Sequence, residues 1–137
     1  MQSKITAVWQ GSFKEGSGKL DAAHSSLHNV TFAPVFAKNE TTAISNPEEL
    51  LESAHATCYN LTLSYILSQA GIRAEKLETS AELTLKNKVI TNSDLTLTAK
   101  IPDITEEQFQ GFAQKAKEMC AVGNAIKAEI SLKATLE

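Results

Sequence analysis

The chain contains two cysteines, Cys58 and Cys120, and no others. A thiolate is both a nucleophile and a redox-active group, so two thiols that meet in the fold can act as a peroxidatic and resolving couple. Sequence does not show whether they meet, because a disulfide needs Cα atoms within roughly 7 Å of each other. The alternative for each cysteine is plain core packing, since free cysteine is among the most buried residue types. Both interpretations stay open on the residues alone.

His55 precedes Cys58 by three positions, so a helix would place the two side chains on one face. This spacing would suit a nucleophile of the Cys–His type, in which the imidazole activates the thiol. The alternative is a helix histidine bonded to a neighbouring backbone group. His24 and His28 can be combined with the cysteines into a zinc site, but the spacing matches none of the usual zinc arrangements. We expect no metal, and no phosphate-binding loop or nucleotide fingerprint is present.

Length and charge limit the classes of function. The chain has 137 residues and a formal net charge of −3, which gives no strong attraction for nucleic acid or an anionic membrane surface. No signal peptide and no membrane-spanning run is recognisable. The expected location is therefore the cytoplasm, where thiols stay reduced and cysteines serve catalysis, redox sensing or packing.

The stretch that must position Cys58 runs from Asn46 to Gly71. Asn46 is a good helix N-cap, Pro47 suits the first helical position, and Gly71 is a helix stop. Apolar residues circle most of the axis between these signals, so the predicted helix should be buried nearly all round. In so short a chain it would pass through the middle of the fold or through the middle of a dimer.

Alternating apolar residues predict strands on both sides of this helix, and a second helical stripe carries Cys120. The pattern indicates an α+β fold in which antiparallel strands surround a buried central helix. We expect a single domain over residues 1–137. Its predicted parts are N-terminal strands and a loop over 1–45, the central helix over 46–71, a strand meander over 77–101, a second helix over 105–122 and a final strand over 128–136.

Three stretches together resemble the OsmC/Ohr family of thiol-dependent peroxidases, and in particular its OsmC-like branch. The first is NPEELLESAHATC followed by LSYILSQAG, in which the form HA-x-C is typical of that branch. The others are VWQGSFKEGSG near the N-terminus and QKAKEMCAVGNAIKAEISL near the C-terminus. The resemblance therefore spans essentially the whole chain.

The resemblance implies an intertwined OsmC-like homodimer whose central helices pack together at the interface. It identifies Cys58 with the peroxidatic cysteine, Cys120 with the resolving cysteine and Glu48 with the active-site carboxylate. The implied reaction reduces an organic hydroperoxide to an alcohol, leaving a sulfenic acid that Cys120 condenses into a disulfide. A dithiol of the lipoyl type would restore the enzyme, with no metal or bound cofactor.

The chain departs from the family pattern beside this helix. Val35 aligns with the family arginine that pairs with the glutamate, and Lys38 is the only cation between Thr31 and Asn46. Arg73 does not substitute by alignment, because it follows the helix stop. Lys38 and His55 are therefore candidate supporting residues. Two hypotheses follow: a peroxidase of organic hydroperoxides, and an OsmC-like dimer with weakened or lost activity that serves as a redox sensor or binds an apolar ligand.

Overall fold

The computed structural model describes residues 1–22, 24–34 and 44–137. These residues form two compact units, Met1–Leu51 and Glu52–Glu137, which are described separately. The mixture of helices and two small sheets is the predicted α+β architecture, whereas the single domain stays a prediction. In chain order the elements are β1 (Thr6–Gln10), β2 (Ser17–Asp21), β3 (Val30–Phe32), α1 (Pro47–Gln69), β4 (Lys76–Lys86), β5 (Val89–Lys100), α2 (Glu106–Met119), α3 (Ala121–Ala125) and β6 (Glu129–Leu136).

The first unit contains an antiparallel sheet of β1, β2 and β3, with β2 in the centre. Trp9 and Phe32 extend from the two outer strands, and their rings lie 5.8 Å apart between centroids. Ser45 forms an isolated bridge with Phe32 just before α1 begins. This bridge joins the residue just before the N-cap of α1 to the edge strand β3.

Helix α1 begins and ends where local sequence signals place its ends. The Asn46 side chain accepts a hydrogen bond from the Glu49 N–H at 2.9 Å, as an N-cap does. At the other end Gly71 has φ +71°, and the Ile72 N–H donates to the Leu67 carbonyl oxygen at 2.9 Å. This backbone pattern closes the helix, and glycine adopts the required left-handed conformation without strain.

The second unit contains a sheet in the order β4, β5, β6. Asn87 and Lys88 both have positive φ, which suits the two-residue turn between β4 and β5. Strand β6 pairs with β5 in parallel, so this sheet is mixed and the antiparallel prediction is wrong for its last strand. The long crossover through α2 and α3 between β5 and β6 is what permits the parallel pairing.

The second helical segment is broken at its cysteine. Thr105 caps α2 through a reciprocal pair of hydrogen bonds with Gln108. Cys120 then has φ −66° and ψ 111°, which is extended backbone, and α3 restarts at Ala121. The helix predicted over 105–122 is thus two helices, and Cys120 lies at the corner between them.

One side of α1 supplies the core of the second unit. Tyr59, Leu63 and Leu67 are almost fully buried there, in one cluster with apolar residues of β5 and α2. The opposite side is open in the single chain, because Leu61 is 72% exposed and Tyr65 is 56% exposed. Burial nearly all round the axis is therefore wrong for one copy of the chain. Within the described ranges, no helix has the length and apolarity to cross a membrane.

Candidate functional site

The site is built on the two cysteines, which come from different elements and meet in the second unit. Cys58 lies in the middle of α1 and is half-buried, whereas Cys120 at the α2–α3 corner is fully buried. Both are free thiols, and a hydrogen bond joins their side chains. The fold thus brings together the two thiols that lie 62 positions apart in the sequence.

The surroundings of Cys58 favour its thiolate. Burial by itself raises the pKa of Cys58, but hydrogen bonds outweigh it and the pKa lies below its usual value. The donors are the Val122 N–H, the Cys120 thiol, the Thr62 hydroxyl and the Ala121 N–H. Two of these are backbone amides of the first turn of α3, so the break at Cys120 turns unpaired amides towards the Cys58 sulfur.

Thr62 has two possible acceptors on the same residue. Its hydroxyl lies 2.8 Å from the Cys58 carbonyl oxygen, one turn earlier in α1. A hydroxyl has one proton, so the Thr62 hydroxyl donates either to that carbonyl or to the Cys58 sulfur at a given moment. Ionisation of Cys58 makes the sulfur the stronger acceptor, because hydrogen bonds to charged groups are stronger.

The pKa of Cys120 is shifted in the opposite direction, to a higher value. Burial raises the pKa of its thiol, and the neighbouring Cys58 raises it further, while the Gly123 N–H acts against both. That N–H lies 3.4 Å from the Cys120 sulfur, which caps the short helix α3. The hydrogen bond between the thiols therefore runs from Cys120, the donor, to the sulfur of Cys58.

An apolar pocket of about 550 Å³ opens beside Cys58. Its walls come from α1 and from the α2–α3 corner, and Leu61, Tyr65 and Met119 are among the exposed residues that line it. No charged side chain lines the pocket in the described part of the chain. A molecule with an apolar body could therefore reach the Cys58 sulfur.

His55 belongs to a separate buried cluster. Its Nδ1 lies 2.6 Å from the Ser93 Oγ, and that hydroxyl also lies 2.9 Å from each carboxylate oxygen of Glu52. Burial lowers the pKa of His55, and the negative charge of Glu52 only partly opposes this. Nδ1 is bonded to a side chain of β5 rather than to a neighbouring backbone group, and Nε2 has no hydrogen-bond partner among the described residues.

Glu48 lies in the first turn of α1 and belongs to the first unit. Its Oε2 is buried and has no hydrogen-bond partner in the part of the chain that the structure describes. Burying a carboxylate oxygen without a hydrogen-bond donor costs free energy, so a cation or an N–H group is expected beside this atom. Val35 and Lys38, which the sequence places before the helix, lie outside the described residues.

Three residues of the second unit belong to the surroundings of the predicted site residues but do not stand out in the sequence. Ser93 is hydrogen-bonded to His55, Glu52 is hydrogen-bonded to Ser93, and Gly123 lies beside His55 and Cys120. Ser93 lies in a stretch, Asn92–Asp94, that is also typical of turns, so sequence gives little reason to select it. Its burial at 0% exposure in the middle of β5 is the signal that reveals it.

Comparison with known proteins adds four findings. Residues 39–135 match the family model described as OsmC-like protein. The chain is 34% identical to Peroxiredoxin OsmC of Escherichia coli strain K12, over 96% of this chain and 94% of that protein. It is 33% identical to Organic hydroperoxide resistance protein-like 2 of Staphylococcus saprophyticus, over 64% of each chain. The crystal structure of an OsmC-like protein from Mycoplasma pneumoniae superposes with a TM-score of 0.82 at 18% identity, over 99% of this chain and 97% of that one.

Proposed function

Since the chain belongs to the family of OsmC-like proteins, we propose that it is a thiol peroxidase that reduces organic hydroperoxides. The names of its relatives, a peroxiredoxin and an organic hydroperoxide resistance protein, support a peroxidase-type function in the family. For this chain the proposal depends on one observation, the hydrogen bond between a Cys58 of lowered pKa and a protonated Cys120.

In the proposed reaction the Cys58 thiolate attacks the outer oxygen of the hydroperoxide. The O–O bond breaks, Cys58 becomes a sulfenic acid, and the alkoxide takes a proton and leaves as an alcohol. The Cys120 sulfur then displaces the hydroxyl group of Cys58, which gives a Cys58–Cys120 disulfide and water. Two thiols of a lipoyl-type dithiol reduce that disulfide, so the cycle requires neither a metal nor a bound cofactor.

The pocket supports the choice of substrate. Its lining beside Cys58 is largely apolar, so an organic hydroperoxide gains binding free energy that hydrogen peroxide, which has no apolar body, does not. Both peroxides present the same O–O bond to the thiolate. The preference should therefore appear mainly in KM and kcat/KM for apolar substrates.

Glu48 is proposed as a supporting carboxylate, as the resemblance implies. What supports this is the buried Oε2 without a partner among the described residues. A cation in the segment before α1 would supply the partner, and Lys38 is the cation that the sequence offers there. We propose that a Lys38 ammonium fills the place of the family arginine as a point charge.

A homodimer in the cytoplasm is part of the proposal. Leu61, Tyr65 and Met119 are exposed large apolar side chains that line one pocket, and such a patch on a small protein marks an interaction site. A second copy of the chain, packed symmetrically on this face of α1, would cover it. It would also complete the walls of the Cys58 pocket.

The same pocket carries a second candidate function. An apolar cavity of about 550 Å³ beside a half-buried thiol also suits a redox sensor or a protein that binds an apolar ligand. In that case Cys58 would oxidise once without catalytic turnover. The two functions differ in the number of peroxide molecules consumed per protein.

A steady-state peroxidase assay tests the proposal. The protein is supplied with cumene hydroperoxide or with hydrogen peroxide, and dihydrolipoyl dithiol is the reductant. Many turnovers with a higher kcat/KM for cumene hydroperoxide are expected, and Cys58→Ser should abolish them. Consumption of one equivalent or less by the wild type would support the sensor instead. Unchanged turnover of Cys58→Ser would refute the assigned nucleophile.

A further inference from the structure

The buried cluster of Glu52, Ser93 and His55 has a defined proton arrangement. With Glu52 ionised, both of its carboxylate oxygens only accept, so the single Ser93 hydroxyl proton points to them at 2.9 Å. The Ser93 Oγ must then accept from His55, and the 2.6 Å contact is an Nδ1–H donation. A neutral His55 consequently carries its lone pair on Nε2.

This lone pair has no hydrogen-bond partner in the described part of the chain, although the side chain is only 1% exposed. Nε2 lies beside Gly123: a Cβ built there would lie 3.0 Å from Nε2 and 3.6 Å from the Cys120 Cβ. His55 and Cys120 therefore both border the position that a side chain of residue 123 would occupy. A buried acceptor without a partner needs an explanation, and proton transfer supplies one.

The resolving step creates a need for such an acceptor. Burial raises the pKa of Cys120, so its sulfur is protonated when Cys58 is oxidised, yet the thiolate is the attacking species. Tyr59 is another ionisable residue near Cys120. Burial raises the pKa of Tyr59, the charge of Cys120 raises it further, and the Tyr59 hydroxyl donates to the Ala113 carbonyl oxygen at 3.0 Å. Tyr59 is thus a poor base.

We propose that His55, oriented by Ser93 and Glu52, accepts the thiol proton of Cys120 as Cys120 attacks oxidised Cys58. The inference rests on the proposed function, because it requires a Cys58 sulfenic acid. The S–H proton passes to Nε2, directly or through one water, while the S–S bond forms and the S–O bond of Cys58 breaks. The departing hydroxide takes the proton from Nε2 and leaves as water. The Cys58 sulfur is reduced and the Cys120 sulfur is oxidised, so no other reagent is consumed.

The groups around His55 suit this role. Glu52 on the same helix stabilises the imidazolium that forms, because its negative charge favours the protonated ring. Strand β5 contributes Ser93, whose hydroxyl does not ionise near neutral pH, and the α2–α3 corner contributes Cys120. Because burial lowers the pKa of His55, the ring is neutral before the step, and the Glu52 carboxylate balances its positive charge during the step.

Stopped-flow kinetics after one equivalent of cumene hydroperoxide separate the two chemical steps. Trapping of the sulfenic acid measures the first, and mass spectrometry of quenched samples measures formation of the disulfide. His55→Asn keeps a donor towards Ser93 but removes the Nε2 base, and His55→Gln places a non-basic amide near the position of Nε2. Both should slow disulfide formation by about 100-fold at neutral pH, with sulfenic acid formation nearly unchanged. His24→Asn, an exposed histidine of the first unit, is the matched control.

The pH profile separates proton transfer from a structural role. In the wild type the resolving rate should fall at acid pH as His55 becomes protonated, and level off above its pKa. In both variants it should keep rising with pH, because hydroxide must then remove the Cys120 proton. Wild-type resolving rates in either folded variant, or equal loss of both steps in both variants, would overturn the proposal. Failure of the wild type to form any Cys58 sulfenic acid would instead overturn the proposed function.

Discussion

The Cys120 thiol donates a hydrogen bond to the sulfur of Cys58, so one proton is shared by two cysteines whose pKa values move in opposite directions. The half-buried cysteine ionises more readily than usual, and the fully buried one less readily. The structure therefore assigns unequal chemical roles to two residues of the same type, and this inequality can be measured.

The first prediction concerns alkylation of Cys58. Its pKa is lowered, so the midpoint of the pH dependence of its reaction with iodoacetamide should lie below that of a free cysteine under the same conditions. Cys120→Ala removes one donor and should move that midpoint to higher pH, whereas Cys120→Ser keeps a hydroxyl donor and should move it less. Rates measured by mass spectrometry give both values. A wild-type midpoint at or above that of a free thiol would contradict the lowered pKa.

The second prediction concerns the oxidised state. One equivalent of an organic hydroperoxide should convert the wild type into a form with an intramolecular Cys58–Cys120 disulfide, visible as a loss of two mass units relative to the reduced chain. Cys120→Ser has no resolving thiol, so a sulfenic acid should accumulate and react with dimedone. Dimedone labelling of the wild type to the same extent, without a disulfide, would argue against the resolving role of Cys120.

The third prediction concerns Gly123. A methyl group there would lie 3.0 Å from His55 Nε2 and 3.4 Å from a methyl carbon of Ile130, in a buried position. Gly123→Ala should therefore lower the free energy of unfolding by about 1–3 kcal/mol, as overpacking of a core does. Gly111→Ala is the matched control, because nothing lies near its added methyl and it is exposed on α2.

Gly111→Ala should instead raise the free energy of unfolding by about 0.5–1 kcal/mol, because alanine loses less conformational entropy than glycine when a helix forms. Urea unfolding of both variants, followed by circular dichroism, measures the two changes. Opposite signs are the expected result. Equal effects of the two substitutions would mean that Gly123 does not have the close neighbours described above.

The fourth prediction concerns stability as a function of pH. Burial lowers the pKa of His55 from its ordinary value of 6.5, so the unfolded chain binds this proton more readily than the folded one. The contribution of neutral, buried His55 to the free energy of unfolding is fully present above pH 6.5 and is lost as the pH falls through the lower pKa of His55 in the folded chain. Free energies of unfolding between about pH 7 and pH 5 should thus fall less steeply for His55→Gln. The exposed control His24→Gln should follow the wild-type slope, and a wild-type slope for His55→Gln would contradict the burial argument.

The fifth prediction concerns the open face of α1. Leu61 is 72% exposed in the single chain, and a lysine there would place a charge in the proposed interface of two copies. Leu61→Lys should weaken the dimer and release monomer at micromolar concentration in light-scattering measurements. Gln114→Lys, on the exposed side of α2, is the control for added charge. A wild type that is monomeric at high concentration would remove the basis for the dimer.

Local signals made much of the fold predictable. Asn46 and Gly71 bound α1 because an N-cap and a left-handed glycine act within a few residues of the helix ends. Thr105 and Gln108 bound α2 for the same reason. The turn between β4 and β5 is less sharply predicted, because both Asn87–Lys88, where it lies, and Asn92–Asp94 contain turn residues. In each case the deciding contacts join residues that are near neighbours in the sequence.

Other features depend on contacts between distant residues, so sequence patterns could not reveal them. The parallel pairing of β6 depends on where two helices return the chain, and the bond from His55 to Ser93 crosses 38 positions. The break at Cys120 is not evident in the sequence, because an apolar stripe with helical spacing extends up to Cys120 and the helix-breaking residues Gly123 and Asn124 come only after it. In the candidate site, the cysteines could be selected by type, whereas Glu52, Ser93 and Gly123 required the fold.

The complete burial of Cys120 also determines which sulfur of the proposed disulfide a reductant would attack. A reductant that arrives from solvent meets the Cys58 sulfur, so its mixed disulfide forms there and Cys120 is the leaving group. Cys120 then recovers a proton beneath the protein surface, out of reach of small thiols and electrophiles. If the proposed cycle operates, the protein therefore exposes one sulfur to solvent throughout it, and an inhibitor that acts by covalent capture would have to be designed against Cys58.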